Sequence, residues 1–321
     1  MKDIFNTVKD IYDGFDKEYF SPSENSCGDC KLCCTSVMKF PPLSRLECDF
    51  IDDFLKKHDD YPDIETFKNF MVHRDRERCP YFNLLKGCTI YTVRPMYCRL
   101  YGLFRFKGNN PVPKTCAFYG KVVKAPPQDM YKIIKYFPEF TELKYKYDLL
   151  KAADDKERLE AIINLCKEYI RQDREENLLP LFEEAIKISP DDYRVHFYAA
   201  IAYRFENNLS MAAKKLEECL SLGGEKEFHE IYGHLGFIYL DILDTSLDLS
   251  ETDKKELAEK AFALFTRSME FEAHTVTPHM GLAFVHNARG DKDRALEGFK
   301  KVLDMEHNNS LARKMVEFLS E

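Results

Sequence analysis

The sequence contains no run of about 18 uncharged apolar residues, the length that a helix needs to cross a bilayer. Its first ten residues, MKDIFNTVKD, include four charged side chains, so the apolar core of a secretory leader is missing as well. No pattern typical of a phosphate-binding loop, a catalytic triad or a paired-carboxylate active site stands out. We therefore expect a cytoplasmic protein without a membrane span.

The composition is that of packed globular protein. Of 321 residues, 45% are apolar and 13% aromatic, which is enough for two domains with cores. The net charge of −8 is uneven, because residues 1–125 contain 20 basic and 17 acidic side chains and the remainder contains 27 and 38. Within residues 73–121, ten basic side chains face only two acidic ones, Asp75 and Glu77. This basic segment requires an explanation.

Cysteines are concentrated in the first third of the chain. Eleven cysteines without an export signal are expected to be reduced, and so to be available as thiolates. Cys166 and Cys219 stand alone in helical patterns, where a buried thiol fills space. The others lie between residues 27 and 116, and eight of them have the spacing of metal ligands. These eight are Cys27, Cys30, Cys33, Cys34, Cys79, Cys88, Cys98 and Cys116.

The spacing favours a metal without deciding which one. Two-residue gaps let successive sulfurs converge on one centre, and thiolates bind both zinc and iron tightly. The run Cys-x2-Cys-x2-Cys and the pair Cys79-Pro80 are typical of ferredoxin ligation and favour an iron–sulfur cluster, although all-thiolate zinc fits too. Because Cys33 and Cys34 are adjacent, either each serves a different centre or one is a spare thiol.

The basic segment is explained by such a centre. A site with four thiolates is negatively charged, and Arg94 and Arg99 are expected to support it through charge-assisted hydrogen bonds to sulfur. Binding of a nucleic acid by the same segment is the weaker hypothesis, because the aromatic residues nearby are more typical of the core of a small domain.

Local patterns predict mainly helices around the cysteines. Residues 1–20 place apolar side chains on one helical face, and Ser44 with Glu47 forms a capping box that opens a second helix. Cys48 is expected at an exposed or rim position of that helix. Residues 63–78 predict a third helix, and residues 104–107 a strand that enters a turn.

The second part of the chain has a 34-residue period that begins near Arg158 and continues almost to the C-terminus. Four copies are in register, which resembles tetratricopeptide repeats, and residues 310–319 predict a capping helix. An insertion of about thirteen residues near Thr245 in the third copy is expected to lengthen a turn. The first copy has the repeat's apolar positions at Ile162, Leu165, Cys166, Tyr169, Leu178, Phe182 and Ala185.

Such arrays are curved, and the first helix of each repeat lines a concave groove suited to a peptide or a helix. The lining predicted here is unusually apolar, which favours a protein or peptide partner with an apolar segment. An alternative is that another part of the chain, such as a helix over residues 128–151, covers the groove. The predicted lining residues are Ile163, Lys167, Phe197, Ile201, Arg204, Phe237, Met280 and Phe284.

The cysteine segment also resembles a known family. The CxxCxxCC run that starts at Cys27, the pair Cys79-Pro80, the segment Cys88-x-Ile90-Tyr91-x2-Arg94-Pro95-x2-Cys98-Arg99 and Cys116 resemble a bacterial cysteine-cluster family described as a zinc- or iron-chelating domain. The resemblance covers roughly residues 25–120. It implies a bound metal.

The family is related to flagellin lysine N-methylase, which implies that an iron–sulfur centre and S-adenosylmethionine chemistry are to be considered. The Gly-rich loop common in methyl-donor sites is absent, as is the Cys-x3-Cys-x2-Cys spacing of radical enzymes. The resemblance therefore implies metal more firmly than methyl transfer.

These patterns together predict a mainly α protein. A small cysteine-rich metal-binding domain with irregular loops and short strands (residues 1–125) is followed by linker helices (126–157) and a solenoid of four tetratricopeptide repeats with a capping helix (158–321). Two functions follow as hypotheses. One is a metal-stabilised binding protein that docks a partner in the groove, and the other is an iron–sulfur metalloenzyme that modifies a protein substrate or acts in redox chemistry.

Overall fold

The computed structural model describes residues 2–19, 43–58, 61–72, 79–83, 87–100, 135–246 and 248–320. The chain divides into two compact units, Met1–Ala161 and Ile162–Glu321. Both are mainly helical in these residues, which confirms the mainly α prediction. The predicted strand at residues 104–107 lies outside the described residues. None of the described helices is long and apolar enough to cross a bilayer.

The first unit combines helices with one very short strand pair. The two strands, β1 (Phe82–Asn83) and β2 (Gly87–Cys88), pair antiparallel, with Phe82 opposite Cys88. A 3₁₀ turn over Tyr91–Val93 follows. The helices are α1 (Lys2–Tyr19), α2 (Arg45–Leu55), α3 (Ile64–Val72), α4 (Met96–Leu100) and α5 (Tyr136–Lys151).

The core of the first unit forms between helices that are distant in sequence. On α1, the three- and four-residue spacing buries Val8, Ile11 and Phe15, as the sequence pattern predicts. Helix α5, which the sequence places among the linker helices, adds Phe137, Phe140 and Tyr147 to the same core. The expected boundary at residue 125 stays a prediction, since residues 101–134 lie outside the described ranges.

Helix α2 begins at the predicted capping box. The Ser44 hydroxyl accepts the Glu47 amide hydrogen at 3.3 Å, and the Ser44 amide donates to the Glu47 carboxylate at 3.0 Å. The expectation that Cys48 lies at an exposed or rim position is wrong, because the residue is only 7% exposed. Helix α3 packs against α2 and brings Lys68 close to the Cys48 thiol. The packing of α3 therefore buries a side of α2 that the periodicity of α2 alone predicts to be exposed.

The second unit is a series of helix pairs, in keeping with the tetratricopeptide prediction. Helix α6 (Asp155–Arg171), which contains the unit boundary, is followed by α7 (Leu179–Ile188). Each pair buries the apolar positions expected of the repeat, so Phe182 and Ala185 of α7 are fully buried. The other helices are α8 (Tyr193–Phe205), α9 (Leu209–Ser221), α10 (Ile231–Thr245), α11 (Glu251–Glu272), α12 (Val276–Ala288), α13 (Lys292–Met305) and α14 (Ser310–Ser320).

Three of the pairs turn through the same backbone geometry. Asp173, Asn207 and Gly290 have φ values of 53°, 57° and 77° at the end of the first helix. In each case the next residue's amide donates to a carbonyl five residues back, as in Arg174 to Tyr169 at 2.9 Å. Asp173 and Asn207 are one 34-residue period apart. The left-handed turn is therefore a repeated element of the array.

The insertion in the third repeat lengthens a helix. Helix α11 has 22 residues, against 13 in α9 of the preceding repeat. It begins at a capping box of Ser250 and Asp253, and its sequence is rich in Ala, Glu, Lys and Leu. The segment between the two helices is longer as well, five residues (246–250) against three (206–208) in the preceding repeat, so the expected longer turn accounts for only part of the insertion.

The third and fourth repeats meet around a single aromatic ring. Phe265 on α11 is fully buried between Gly236 on α10 and Gly281 on α12. A Cβ atom at position 236 would lie 2.7 Å from the ring, and one at position 281 would overlap it. These two positions therefore require glycine for space.

Candidate functional site

The described part of the cysteine segment contains three of the eight predicted metal ligands. Cys79 precedes β1, Cys88 ends β2 and Cys98 lies on α4, and all three are half-buried. Cys79 and Cys88 pack against the core of the first unit. The other five predicted ligands, Cys27, Cys30, Cys33, Cys34 and Cys116, lie outside the described residues.

The β1–β2 hairpin holds Cys79 and Cys88 on one small scaffold. The Thr89 amide and hydroxyl both donate to the Tyr81 carbonyl at 2.9 Å, which extends the pairing by one residue. Tyr81 is buried, donates from its hydroxyl to the Asp63 carbonyl at 3.0 Å and packs edge-on against Phe67. The hairpin is thereby tied to helix α3.

Arg99, the residue after Cys98, is completely buried. Its Nε donates to the Arg94 carbonyl at 3.2 Å and its Nη2 to the Thr92 carbonyl at 2.7 Å, while Nη1 donates to Asp16 of α1. Burial lowers the pKa of Arg99, the Arg94 charge lowers it further, and the Asp16 carboxylate opposes both effects. Backbone carbonyls of the segment between Cys88 and Cys98 thus bind this guanidinium and fix the conformation of the segment.

Arg94 is bound in the same way and is only 3% exposed. Its Nη1 donates to the Tyr91 carbonyl at 2.7 Å, its Nη2 to Asp16 at 3.4 Å, and its guanidinium lies 3.7 Å from the centre of the Tyr91 ring. Asp16 therefore serves two buried cations. The hydrogen bonds from Arg94 and Arg99 to sulfur that the sequence predicts stay a prediction.

A second helix also anchors this segment. Glu47 of α2 is buried, and its Oε1 accepts the Met96 amide hydrogen at 3.0 Å. Its Oε2 accepts from the Ser44 amide and hydroxyl at 3.0 and 2.7 Å. Both oxygens of the capping residue are thus occupied. The Glu47 carboxylate therefore caps the start of α2 and also binds the first amide of α4, the helix that contains Cys98.

Tyr12 of α1 packs against Arg99, the residue after Cys98. The Arg99 guanidinium lies 4.1 Å from the centre of the Tyr12 ring, and the Tyr12 hydroxyl is buried without a hydrogen-bond partner among the residues that the structure describes. Burial, followed by the Glu47 charge, raises the pKa of Tyr12 well above its ordinary value, and Cys98 is close enough to contribute. The hydroxyl therefore keeps its proton and remains a donor.

The remaining described cysteines differ from the three in the cysteine segment. Burial raises the pKa of Cys48 to about 11 and that of Cys219 to about 12, and it raises the pKa of Cys166 as well. These thiols are protonated at neutral pH and are unsuited to bind a metal. Cys166 and Cys219 have the buried, space-filling positions that the sequence predicts.

The residues of the cysteine segment fit a thiolate-bound metal. No three His, Cys, Asp or Glu side chains form a metal-binding group within the described ranges, from which five of the predicted ligands are missing. The described surroundings contain half-buried thiols, two buried guanidinium groups that share one carboxylate, and an unpartnered buried hydroxyl. Buried guanidinium groups and a hydroxyl donor are what a negatively charged thiolate centre requires in its surroundings.

The predicted groove residues differ in accessibility. Ile163, Phe197 and Met280 are buried. Phe197 stacks on Phe228, with 4.0 Å between the ring centres, so it contributes to the core of the array. The half-buried positions are Ile201, Phe237 and Phe284, and the exposed ones are Lys167 and Arg204.

Charge and an exposed aromatic ring occur together near the middle of the array. Arg204 on α8 forms an ion pair with Asp241 on α10 at 3.4 Å, which joins the first helices of two successive repeats. Phe205, the next residue, is 52% exposed. Burial lowers the pKa of His234 to about 4, so this imidazole, which lies near the Phe197 ring, is neutral at physiological pH.

Sequence reasoning missed Tyr12, Asp16, Glu47 and Phe205 as site residues. Asp16 follows Tyr12 by four residues on one face of α1, which is a weak signal for a shared role. The excess of arginine over acidic residues in the basic segment was the stronger signal, since buried guanidinium groups require a carboxylate from elsewhere in the chain. Phe205 directly follows a predicted groove position.

Residues 26–117 match the CxxCxxCC family, described as "Putative zinc- or iron-chelating domain". No curated protein matches the chain. Several solved structures are similar to it. MamA is 15% identical with a TM-score of 0.42, and the match covers 59% of this chain and 99% of that one.

Two tetratricopeptide repeat proteins are similar as well. One, from Parabacteroides merdae ATCC 43184, is 16% identical with a TM-score of 0.46 and coverage of 60% and 70%. Another, a thermophilic protein of Thermus thermophilus, is 15% identical with a TM-score of 0.41 and coverage of 60% and 94%. At these identities the likeness concerns the arrangement of helices alone.

Proposed function

We propose that this protein binds a metal through its cysteine segment and docks a protein or peptide partner on its repeat array. The observation that carries the metal proposal is the division among the thiols. Cys79, Cys88 and Cys98 are half-buried on a scaffold with buried positive charge, whereas Cys48, Cys166 and Cys219 are buried and held protonated. The match of residues 26–117 to a zinc- or iron-chelating family supports the same conclusion.

Among the metals, we favour an iron–sulfur cluster over zinc. The spacing of Cys27, Cys30 and Cys33 and the pair Cys79-Pro80 are typical of ferredoxin ligation. The eight predicted ligands would hold the metal, with Arg94 and Arg99 as cationic support. An iron–sulfur cluster, when bound, supplies one-electron chemistry, whereas zinc would supply structural stability or a Lewis acid.

The metal proposal predicts a specific loss in a cysteine variant. Cys88→Ser should lower the metal content of the protein purified without oxygen by at least about tenfold, because a hydroxyl is a poor replacement for a thiolate ligand. Metal analysis and ultraviolet–visible spectra measure the result. The matched control is Cys166→Ala, which removes a buried thiol of the second unit and should leave the metal content unchanged.

Each outcome bears on one part of the proposal. A native protein purified without oxygen that holds neither zinc nor iron contradicts metal binding. A colourless protein with stoichiometric zinc contradicts the iron–sulfur assignment alone. Equal metal loss in Cys88→Ser and Cys166→Ala would contradict the assignment of Cys88 as a ligand.

We infer that the partner is an extended or helical segment with both apolar and acidic side chains. The exposed groove positions Lys167 and Arg204 are basic, and the half-buried Ile201, Phe237 and Phe284 are apolar. Arg204 is already paired with Asp241, so an acidic ligand would compete with a surface ion pair that contributes little. This partner chemistry follows the mode in which a groove binds a helix or peptide.

A binding experiment tests this inference. A peptide selected from a random display library on the full chain should lose about tenfold in affinity for Phe205→Ala, since exposed aromatic residues commonly dominate such contacts. Leu222→Ala is the control, because Leu222 is an exposed apolar residue at the end of α9, a second helix of its repeat. An equal effect of both changes, or of neither, would contradict docking beside Arg204.

A further inference from the structure

The capping helix α14 exposes a row of large apolar side chains. Phe318 is 64% exposed and Leu311 is 49% exposed. Met315 lies between them, and the four- and three-residue spacing puts all three on one side of the helix. Single exposed apolar residues are ordinary on a protein surface, whereas a contiguous row indicates a contact surface.

This apolar row does not lie on the outer face of α14. The buried residues of the helix, Ala312 and Leu319, belong to the core cluster of the last repeat. The opposite side contains the exposed polar residues Arg313, Lys314 and Glu317, and a polar outer face is what the end of a repeat array requires for solubility. The apolar row therefore lies on a flank, between the buried side and the polar side.

The 34-residue period identifies this flank as the side of the predicted groove. Phe318 follows Phe284, a predicted groove residue of α12, by one period. The pattern of burial supports this register, because the buried Leu319 follows the buried Val285 by the same interval. Phe318 thus adds one more position to the series of groove residues.

The predicted groove differs in chemistry between its two ends. Phe237 on α10, Phe284 on α12 and Met315 on α14 are half-buried and pack against the same core cluster, so the apolar surface is continuous across three helices. At the other end, Lys167 on α6 and Arg204 on α8 are exposed and basic. A segment that lies along this surface meets positive charge first and apolar side chains last.

We propose that α14 is the apolar end of the docking surface and that the partner segment binds in one direction. Its aromatic or aliphatic end lies against Phe318 and Met315, and its acidic end lies near Lys167 and Arg204, where the charges are complementary. This assignment rests on the proposed docking function and adds a direction and an anchor to it. With about 10 Å between neighbouring helices, the first helices from α8 to α14 span about 30 Å, which about nine extended residues can bridge.

A double-mutant cycle on the full chain tests the proposal. The probe is a peptide of about twelve residues, long enough to extend over about 40 Å, selected from a random display library on the native chain. Phe318→Ala should weaken its binding about tenfold, and this loss should disappear when the aromatic residue of the peptide is replaced by Ala. The loss should persist when the acidic residue at the other end of the peptide is replaced. Because Phe318 is exposed, the melting temperature should stay at its native value.

Met305→Ala is the matched control. Met305 is 37% exposed and ends α13, a second helix of its repeat, so its replacement should leave the affinity unchanged. Native affinity of Phe318→Ala, with a loss in Phe205→Ala, overturns the role of α14 and leaves docking intact. Coupling of Phe318 to the acidic residue of the peptide overturns the proposed direction.

Two further results would decide what covers the apolar row. Self-association of the native chain in sedimentation experiments that Phe318→Ala abolishes shows that a second copy binds there, which overturns the proposal. A full chain on which no peptide can be selected contradicts both this proposal and the proposed docking function.

Discussion

At the scale of single residues, the first unit depends on one carboxylate. Asp16 is 78 residues from Arg94 and 83 from Arg99, yet its oxygens contact both guanidinium groups. Its side chain is 26% exposed, whereas the two arginine side chains are almost fully buried. A buried cation is tolerated when its charge is paired and its donors are occupied, and here Asp16 pairs the charge while the backbone carbonyls of Tyr91, Thr92 and Arg94 accept from the guanidinium groups.

The first prediction in this network concerns Asp16→Asn. Loss of the carboxylate charge should lower the free energy of unfolding of the first unit by about 3 kcal/mol, because two buried cations lose their counter-charge. Chemical denaturation followed by circular dichroism measures the change. Asp13→Asn removes a carboxylate from an exposed position of the same helix and should have almost no effect. Equal stability of the two variants would show that the ion pairs contribute nothing.

The importance of Arg94 and Arg99 could be predicted from the sequence, but their partner could not. The excess of basic residues over residues 73–121 indicates that negative charge comes from elsewhere. Thirteen acidic residues lie within residues 1–60, and no local pattern distinguishes Asp16 from the others. The pairing depends on how α1 packs, which is a long-range property of the fold.

At the scale of helices, the 34-residue period of the second unit is what allows buried positions to be predicted from the sequence. Burial of Ile162, Leu165 and Phe182 follows directly from the three- and four-residue spacing, because these positions contact neighbouring helices of the same array. The insertion in the third repeat was predicted to lengthen only a turn, whereas most of the extra residues extend α11, since periodicity counts residues without showing whether extra ones extend a helix. The capping box at Ser250 and Asp253 contained that information.

The close approach around Phe265 gives a prediction for a helix pair. Gly281→Ala should destabilise the second unit by about 1–3 kcal/mol, because the added methyl group overlaps the Phe265 ring. In a background of Phe265→Leu, the same change should cost clearly less, since the smaller side chain leaves room. Thermal unfolding of the four proteins measures the coupling. Strictly additive effects would show that the ring is not the obstacle.

At the scale of the whole molecule, the two halves differ in how far sequence reasoning reaches. The second unit consists of contacts between neighbouring helices, so its repeats and its capping helix could be predicted from the sequence. The first unit joins α1, α2 and α5 in one core across more than a hundred residues. The match to the zinc- or iron-chelating family covers residues 26–117 and so leaves out α1 and α5. Motif spacing identified candidate ligands, whereas the residues that position them required the fold.

The wide separation of α1 and α5 affects the order in which the protein can acquire its structure during synthesis. Helix α1 leaves the ribosome more than a hundred residues before α5, whose Phe140 and Tyr147 are needed to cover its aromatic side chains. The ion pairs of Asp16 likewise cannot form until Arg94 and Arg99 have been synthesised. The nascent chain therefore presents several cysteines to the cell before the core beside them can close. For that period, the amphipathic α1 and the unprotected thiols are exposed together to chaperones, oxidants and metal donors.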